Sequence, residues 1–181
     1  MKMNPLHKKL FLLVIVFGPF FWLVFTEDGQ RRTDLVIATL FQDGDPMNVS
    51  FAKLKQGATL EDFKGNFPDL RLECGPRPSP FGDHLCRSPI RSVNGTPAKL
   101  VTLYFDGAGF SALEILYSPH HHTYLHGMLL AELGESTRDV HDGADTAVLR
   151  WTTPHGAVLL PESAQDENDS LVYWISASKL R

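Results

Sequence analysis

Sixteen consecutive uncharged residues, beginning at Leu10 and ending at Phe25 (LFLLVIVFGPFFWLVF), constrain this chain more than any other feature. A run of that composition must leave water. It is preceded by Lys2, Lys8 and Lys9 and followed by Thr26-Glu27-Asp28. As a helix it reaches about 24 Å, slightly short of the roughly 30 Å hydrocarbon core of a bilayer. Snorkelling of Lys8 and Lys9 and interfacial seating of Trp22 make up the difference in this reading. Lysines and no acid precede the run, which predicts a cytoplasmic N-terminus. A cleaved signal peptide needs a small-x-small site after its apolar stretch, and Thr26-Glu27-Asp28-Gly29 offers none. Gly18-Pro19 inside the run is the feature that a cleaved leader shares. The expectation is a retained signal anchor contacting the lipid bilayer through residues 10–25. Residues 1–9 form a cytoplasmic tip, 26–33 a linker and 34–181 one extracytoplasmic domain. The protein is then single-pass in the inner (plasma) membrane with a periplasmic domain.

The chain carries 17 Lys+Arg against 21 Asp+Glu, a net charge of −4. Three of the cations lie in the tip, so the remainder is more acidic still, which argues against nucleic-acid binding. Residues 71–99 are locally basic and residues 132–169 locally acidic. Solvated surface accounts for both, and a basic patch that meets an acidic partner is the alternative. Cys74 and Cys86 are the only cysteines. In an oxidising compartment an even count reads as a disulfide. The segment ECGPRPSPFGDHLCR, with Pro76, Pro78 and Pro80, is predicted as a loop without helix or much strand propensity, in need of a staple. The rival, metal binding by Cys74, His84 and Cys86, fits no common zinc spacing.

Along the chain, DLVIATLF (residues 34–41) is apolar and partly β-branched, and the spacing predicts a strand ended by Gln42-Asp43-Gly44-Asp45-Pro46. Thr59 with Asp62 three residues on predicts a capped helix whose apolar positions are Leu60, Phe63 and Phe67. Asn94-Gly95 marks a turn. LVTLYF and FSALEILY flank Asp106-Gly107-Ala108-Gly109 as a β-hairpin. Ser118-Pro119 opens a second helix with Leu125, Met128, Leu129 and Leu133 as its stripe and Gly134 as its stop. A hairpin over residues 146–151 and 157–160, an acidic loop over 162–169 and a last strand over 171–177 complete the order. Antiparallel strands with two helices between them predict an α+β fold, mainly antiparallel sheet with both helices on one face, behind the transmembrane helix.

The pairing of KLKQGATLEDFKGNFPD with KLVTLYFDGAGFSALEILY resembles the SmpA/OmlA family of small envelope domains over residues 53–117. The matching residues are Gly57, Thr59, Phe63, Pro68, Phe105, Asp106 and Gly109. Two features depart from that family: no lipobox cysteine is present, and the chain runs on well past Tyr117. The resemblance implies a non-catalytic assembly or stability role in the cell envelope.

The sharpest polar cluster is His120, His121, His122 and His126. His122 and His126 stand at i and i+4 on the predicted helix, a spacing that lets two imidazoles share a metal. Position 123 is threonine where a metalloprotease-type site has its glutamate base, and a polar helix start explains the cluster equally well. No P-loop, GxGxxG, nucleophile elbow or redox CxxC occurs, so no cofactor is expected. Asn48, Asn94 and Asn168 head glycosylation sequons, consistent with a eukaryotic type II protein, although a bacterial envelope is the leading setting. The functional expectation is a membrane-anchored, non-catalytic binding or assembly domain with an envelope protein partner. Its alternative is a metal-dependent or hydrolytic enzyme built on the histidine cluster.

Overall fold

The computed structural model describes residues 5–41, 44–107, 109–139, 147–164 and 169–180. Two helices open the chain, α1 (Pro5–Phe25) and α2 (Glu27–Phe41). Thr26 separates them: its hydroxyl donates to the Trp22 carbonyl at 2.6 Å and accepts from the Gly29 amide at 3.1 Å. One side chain thus closes the first helix and caps the second.

The N-terminal expectation is overturned here. No helix among the described residues is long and apolar enough to cross a membrane. The uncharged part of α1 spans about 24 Å against a core of roughly 30 Å, with Pro19 inside the helix. The signal anchor and the single-pass inner-membrane placement therefore fall together, and the periplasmic domain loses the anchor from which it was inferred. Residues 34–41 are also not a strand but the second half of α2. Their β-branched residues disfavour helix by only tenths of a kcal/mol each, which a capped helix already under way overrides. Every side chain from 11 to 17 on α1 is more than half exposed.

Beyond α2 the chain is mostly sheet with few helices, in place of a membrane-anchored α+β chain. The strands are β1 (Asp45–Met47), β2 (Glu73–Ser79), β3 (Gly82–Val93), β4 (Thr96–Asp106), β5 (Gly109–Tyr117), β6 (Thr137–Asp139), β7 (Val148–Thr153), β8 (Gly156–Pro161) and β9 (Ser170–Ser176). They form one sheet in the order β1-β3-β4-β5-β9-β8-β7-β6, with β2 also on β3. All neighbours are antiparallel except β1 on β3. β1 and β2 share one edge of β3: β2 takes Gly82 to Arg87, and β1 takes Ile90 to Val93.

Period-two alternation gives the sheet two different faces. Val101, Leu103, Leu113, Ile115, Trp151, Val158, Leu160, Val172 and Trp174 point inward. They meet Phe63 of α3 (Leu60–Asn66) and Leu125 and Leu129 of α4 (His122–Leu133), with Phe51 and Leu70 from the connections. Thr59 and Asp62 cap α3 reciprocally, each accepting from the other's backbone amide at 3.2 and 2.8 Å. These bonds hold the Asp62 carboxyl below its usual range. The opposite face carries a smaller cluster of Leu85, Tyr104 and Ala112 with Phe81 packed on it. Among the described residues no helix side chain contributes to that cluster.

Candidate functional site

The outer face of β7, β8 and β9 holds an open groove of about 400 Å³. Strand alternation supplies it: Leu159 on β8 and Leu171, Tyr173 and Ile175 on β9 face outward, since Val158, Leu160, Val172 and Trp174 are used inside. Val148 and Pro161 line it from β7 and the end of β8, and Asp169 and Ser170 from the start of β9. The far wall comes from a distant part of the chain. Phe81, in the turn between β2 and β3, lies against Tyr104 at 5.2 Å and Tyr173 at 5.9 Å between ring centroids.

Phe81 is fixed from its backbone. The Ser111 hydroxyl sits between the carbonyls of Phe81 and Tyr104, 3.0 Å from the latter. Gly82 follows, and a Cβ there would lie 2.1 Å from the Phe105 carbonyl oxygen, so only glycine permits this approach. The turn itself is closed by Ser79, whose hydroxyl bonds to Gly82 and Phe81.

Polar groups cross the same face in register. Arg87, Thr102, Glu114, Tyr173, Leu159 and Arg150 are successive cross-strand partners from β3 to β7. The Glu114 carboxylate accepts from the Tyr104 hydroxyl at 3.1 Å and the Thr102 hydroxyl at 3.3 Å. Burial first, and the Glu114 charge second, push the Tyr104 phenol up to about 12; the same two causes raise Tyr173. Both phenols are therefore neutral donors at physiological pH. At the other end of the groove Asp169 pairs with Lys99 at 2.6 Å. The groove offers apolar walls with a hydroxyl–carboxylate cluster beside Tyr173 and an ion pair at the opposite rim.

The four predicted histidines are dispersed. His120 is exposed, and His121 is buried and faces Asp34 of α2 at 3.4 Å. His122 is buried, with Nδ1 2.8 Å from the Tyr117 hydroxyl and Nε2 without a hydrogen bond of ordinary geometry among the described residues. Burial lowers its pKa; the nearby Glu162 backbone opposes this and His126 adds to it. His126 packs its ring 5.8 Å from that of Trp151. Among the described residues no group of three His, Cys, Asp or Glu side chains could hold a metal ion. His122 and His126 thus stand as a pair without a third ligand.

Cys74 and Cys86 form a disulfide. The segment between them is not a loop, however: Cys74 and Cys86 are direct partners in the β2–β3 hairpin. Proline is tolerated on β2 because it is an edge strand. Some of the residues that carried the family resemblance make long-range contacts, the Phe63 and Phe105 rings lying 6.2 Å apart. The Gly57 amide donates to the Phe110 carbonyl at 2.9 Å, the Phe110 amide to the Ala58 carbonyl at 2.8 Å, and Asp106 pairs with Lys179 at 2.8 Å. Of the sequon asparagines, Asn48 is exposed, Asn94 is engaged with Val49 through both amide atoms, and Asn168 lies outside the described residues.

No family model, curated protein or solved structure matches this chain. Function has to come from the site.

Sequence reasoning missed the groove because its walls are more than sixty positions apart along the chain, from Phe81 to Ile175. One signal was present. Glu114 is the sole charge in the largely apolar FSALEILY, and such a charge needs partners waiting for it.

Proposed function

We propose that this chain is a binding domain that takes a small apolar molecule in the groove between Phe81 and the outward side chains of β7, β8 and β9. The observation that carries the reading is the groove's composition and size. Seven of its nine lining residues are apolar or aromatic, its volume is about 400 Å³, and a few polar groups sit at its ends. Small-molecule sites are typically concave, mostly apolar and about 300–1,000 Å³. The wall is also preorganised: Phe81 is held by Ser111 and by the Gly82 approach before any ligand arrives. Preorganisation lowers the ordering cost of binding.

The test uses methyl-resolved nuclear magnetic resonance on the full chain, titrated with a naphthalene-type fluorophore. The Leu159, Leu171 and Ile175 methyls should shift together and saturate, while the exposed leucines and valines of α1 act as an internal control for non-specific uptake. Leu159→Glu should weaken the saturating interaction at least about tenfold by placing a charge in the apolar floor. Shifts confined to α1, or equal binding by Leu159→Glu, would show that the groove is not the site.

A further inference from the structure

We infer that β2 is a strap on the edge of the sheet, locked by Cys74–Cys86 and released by a dithiol reductant while β3 and the groove stay in place. The strap has one neighbour, β3. Glu73, Cys74, Pro76, Arg77 and Pro78 all face solvent, and the pairing breaks its register between Pro76 and Ser79. Pro76 and Pro78 have no amide proton to give to the ladder. Few backbone bonds and little buried surface therefore hold β2 once the disulfide is gone.

The anchors on either side are different in kind. Before the strap, Leu70 is buried in the main core and Leu72 packs against it. After it, Gly82 sits on the Phe105 carbonyl and Ser111 holds Phe81. β3 itself is paired with β4 from His84 to Val93, a ladder that does not depend on β2. Opening therefore stops at Leu70 and at Phe81, and the freed segment is a loop tethered at both ends.

The chemistry is accessible from one side. Cys74 is exposed and Cys86 is 2% exposed. A thiolate of the dithiol attacks the Cys74 sulfur, and Cys86 departs as a thiolate and takes a proton. The reductant's second thiolate then displaces Cys74, which is protonated in turn. Two electrons and two protons pass to the protein, and the reductant ends as its own disulfide. The inference does not rest on the groove reading, because Phe81 is held from the β3 side.

Limited proteolysis and hydrogen exchange on the full chain, oxidised or treated with dithiothreitol, test it. With both thiols shown to be free, a glutamate-specific endoprotease should cut after Glu73, at the exposed start of the strap, at least about tenfold faster than in the oxidised chain, since cleavage tracks the open population. Amide exchange should rise across residues 73–79 and their partners up to Arg87, and stay unchanged in β4, β5, β8 and β9. The Cys74→Ser, Cys86→Ser double variant should reproduce the reduced pattern without reductant. Thiols that never form under native conditions, an unchanged cleavage rate after Glu73, or loss of protection throughout the sheet would each overturn the strap.

Discussion

Asn94 ties three parts of the fold together, and its replacement tests how the turn chemistry works. It sits at φ 47° ahead of Gly95 at φ 77°, the two-residue turn between β3 and β4. Its side chain accepts from the Val49 amide at 2.8 Å and donates to the Val49 carbonyl at 2.7 Å, clamping the segment after β1. Asn94→Ala removes both bonds, each worth about 1 kcal/mol net, and leaves alanine in the left-handed region for about 1 kcal/mol more. The sum is about 3 kcal/mol. Asn94→Gly loses the same bonds but adopts the positive φ freely, so about 2 kcal/mol is expected. For a chain of this size each kcal/mol moves the midpoint by about 2–4 °C, so alanine should lower Tm by about 6–12 °C and glycine by about 4–8 °C. Thermal melts followed by circular dichroism, with urea midpoints as a second measure, would read both. Equal effects of alanine and glycine would refute the left-handed contribution. A Tm within about 1 °C of the parent in both would refute the clamp.

Three further outcomes follow from other parts of the molecule. The folded chain holds a proton on His122 less tightly than the unfolded chain does, so stability should be full above the ordinary value of 6.5 and fall as pH drops below it. Urea midpoints between about pH 7 and pH 5 should show that fall, with a shallower slope in His122→Gln. Gly82→Ala places a Cβ 2.1 Å from the Phe105 oxygen and should cost about 1–3 kcal/mol, seen as a lower urea midpoint at constant slope, and should weaken fluorophore binding by shifting Phe81. Leu129→Ala, at a fully buried position, should cost about 2–5 kcal/mol, whereas its neighbour Leu130, 38% exposed, should tolerate alanine within about 0.5 kcal/mol.

What could be read from sequence was local. The Thr59–Asp62 cap, the Asn94-Gly95 turn and the alternating LVTLYF and FSALEILY segments each carry their signal within a dozen residues, and the chain uses them that way. The disulfide followed from arithmetic on two cysteines. The errors arose where local and non-local terms compete. LVIATLF has strand-like residues but extends a helix that Thr26 had already opened. ECGPRPSP has three prolines yet pairs as an edge strand, because its partner and its covalent tie lie outside the segment. The length of residues 10–25 fell close to what a membrane requires, and among the described residues no helix is long and apolar enough to cross one. Apart from the lone charge of Glu114 the groove had no linear signature, since it exists only after β9 is laid between β5 and β8.

β3 carries its two short partners end to end along a single edge, β2 as far as Arg87 and β1 from Ile90. Ser88 and Pro89 fall in the gap between them, and a proline is least harmful where neither partner asks for its amide. With both partners seated, no free stretch of that edge is long enough to template a foreign strand. At the opposite end of the sheet the described part of β6 is three residues long. Protection against edge-to-edge pairing thus lies in how the margins of the sheet are parcelled out. A preparation kept in strong reductant would lose that protection along half of β3, and should cloud on concentration sooner than the same protein handled in air.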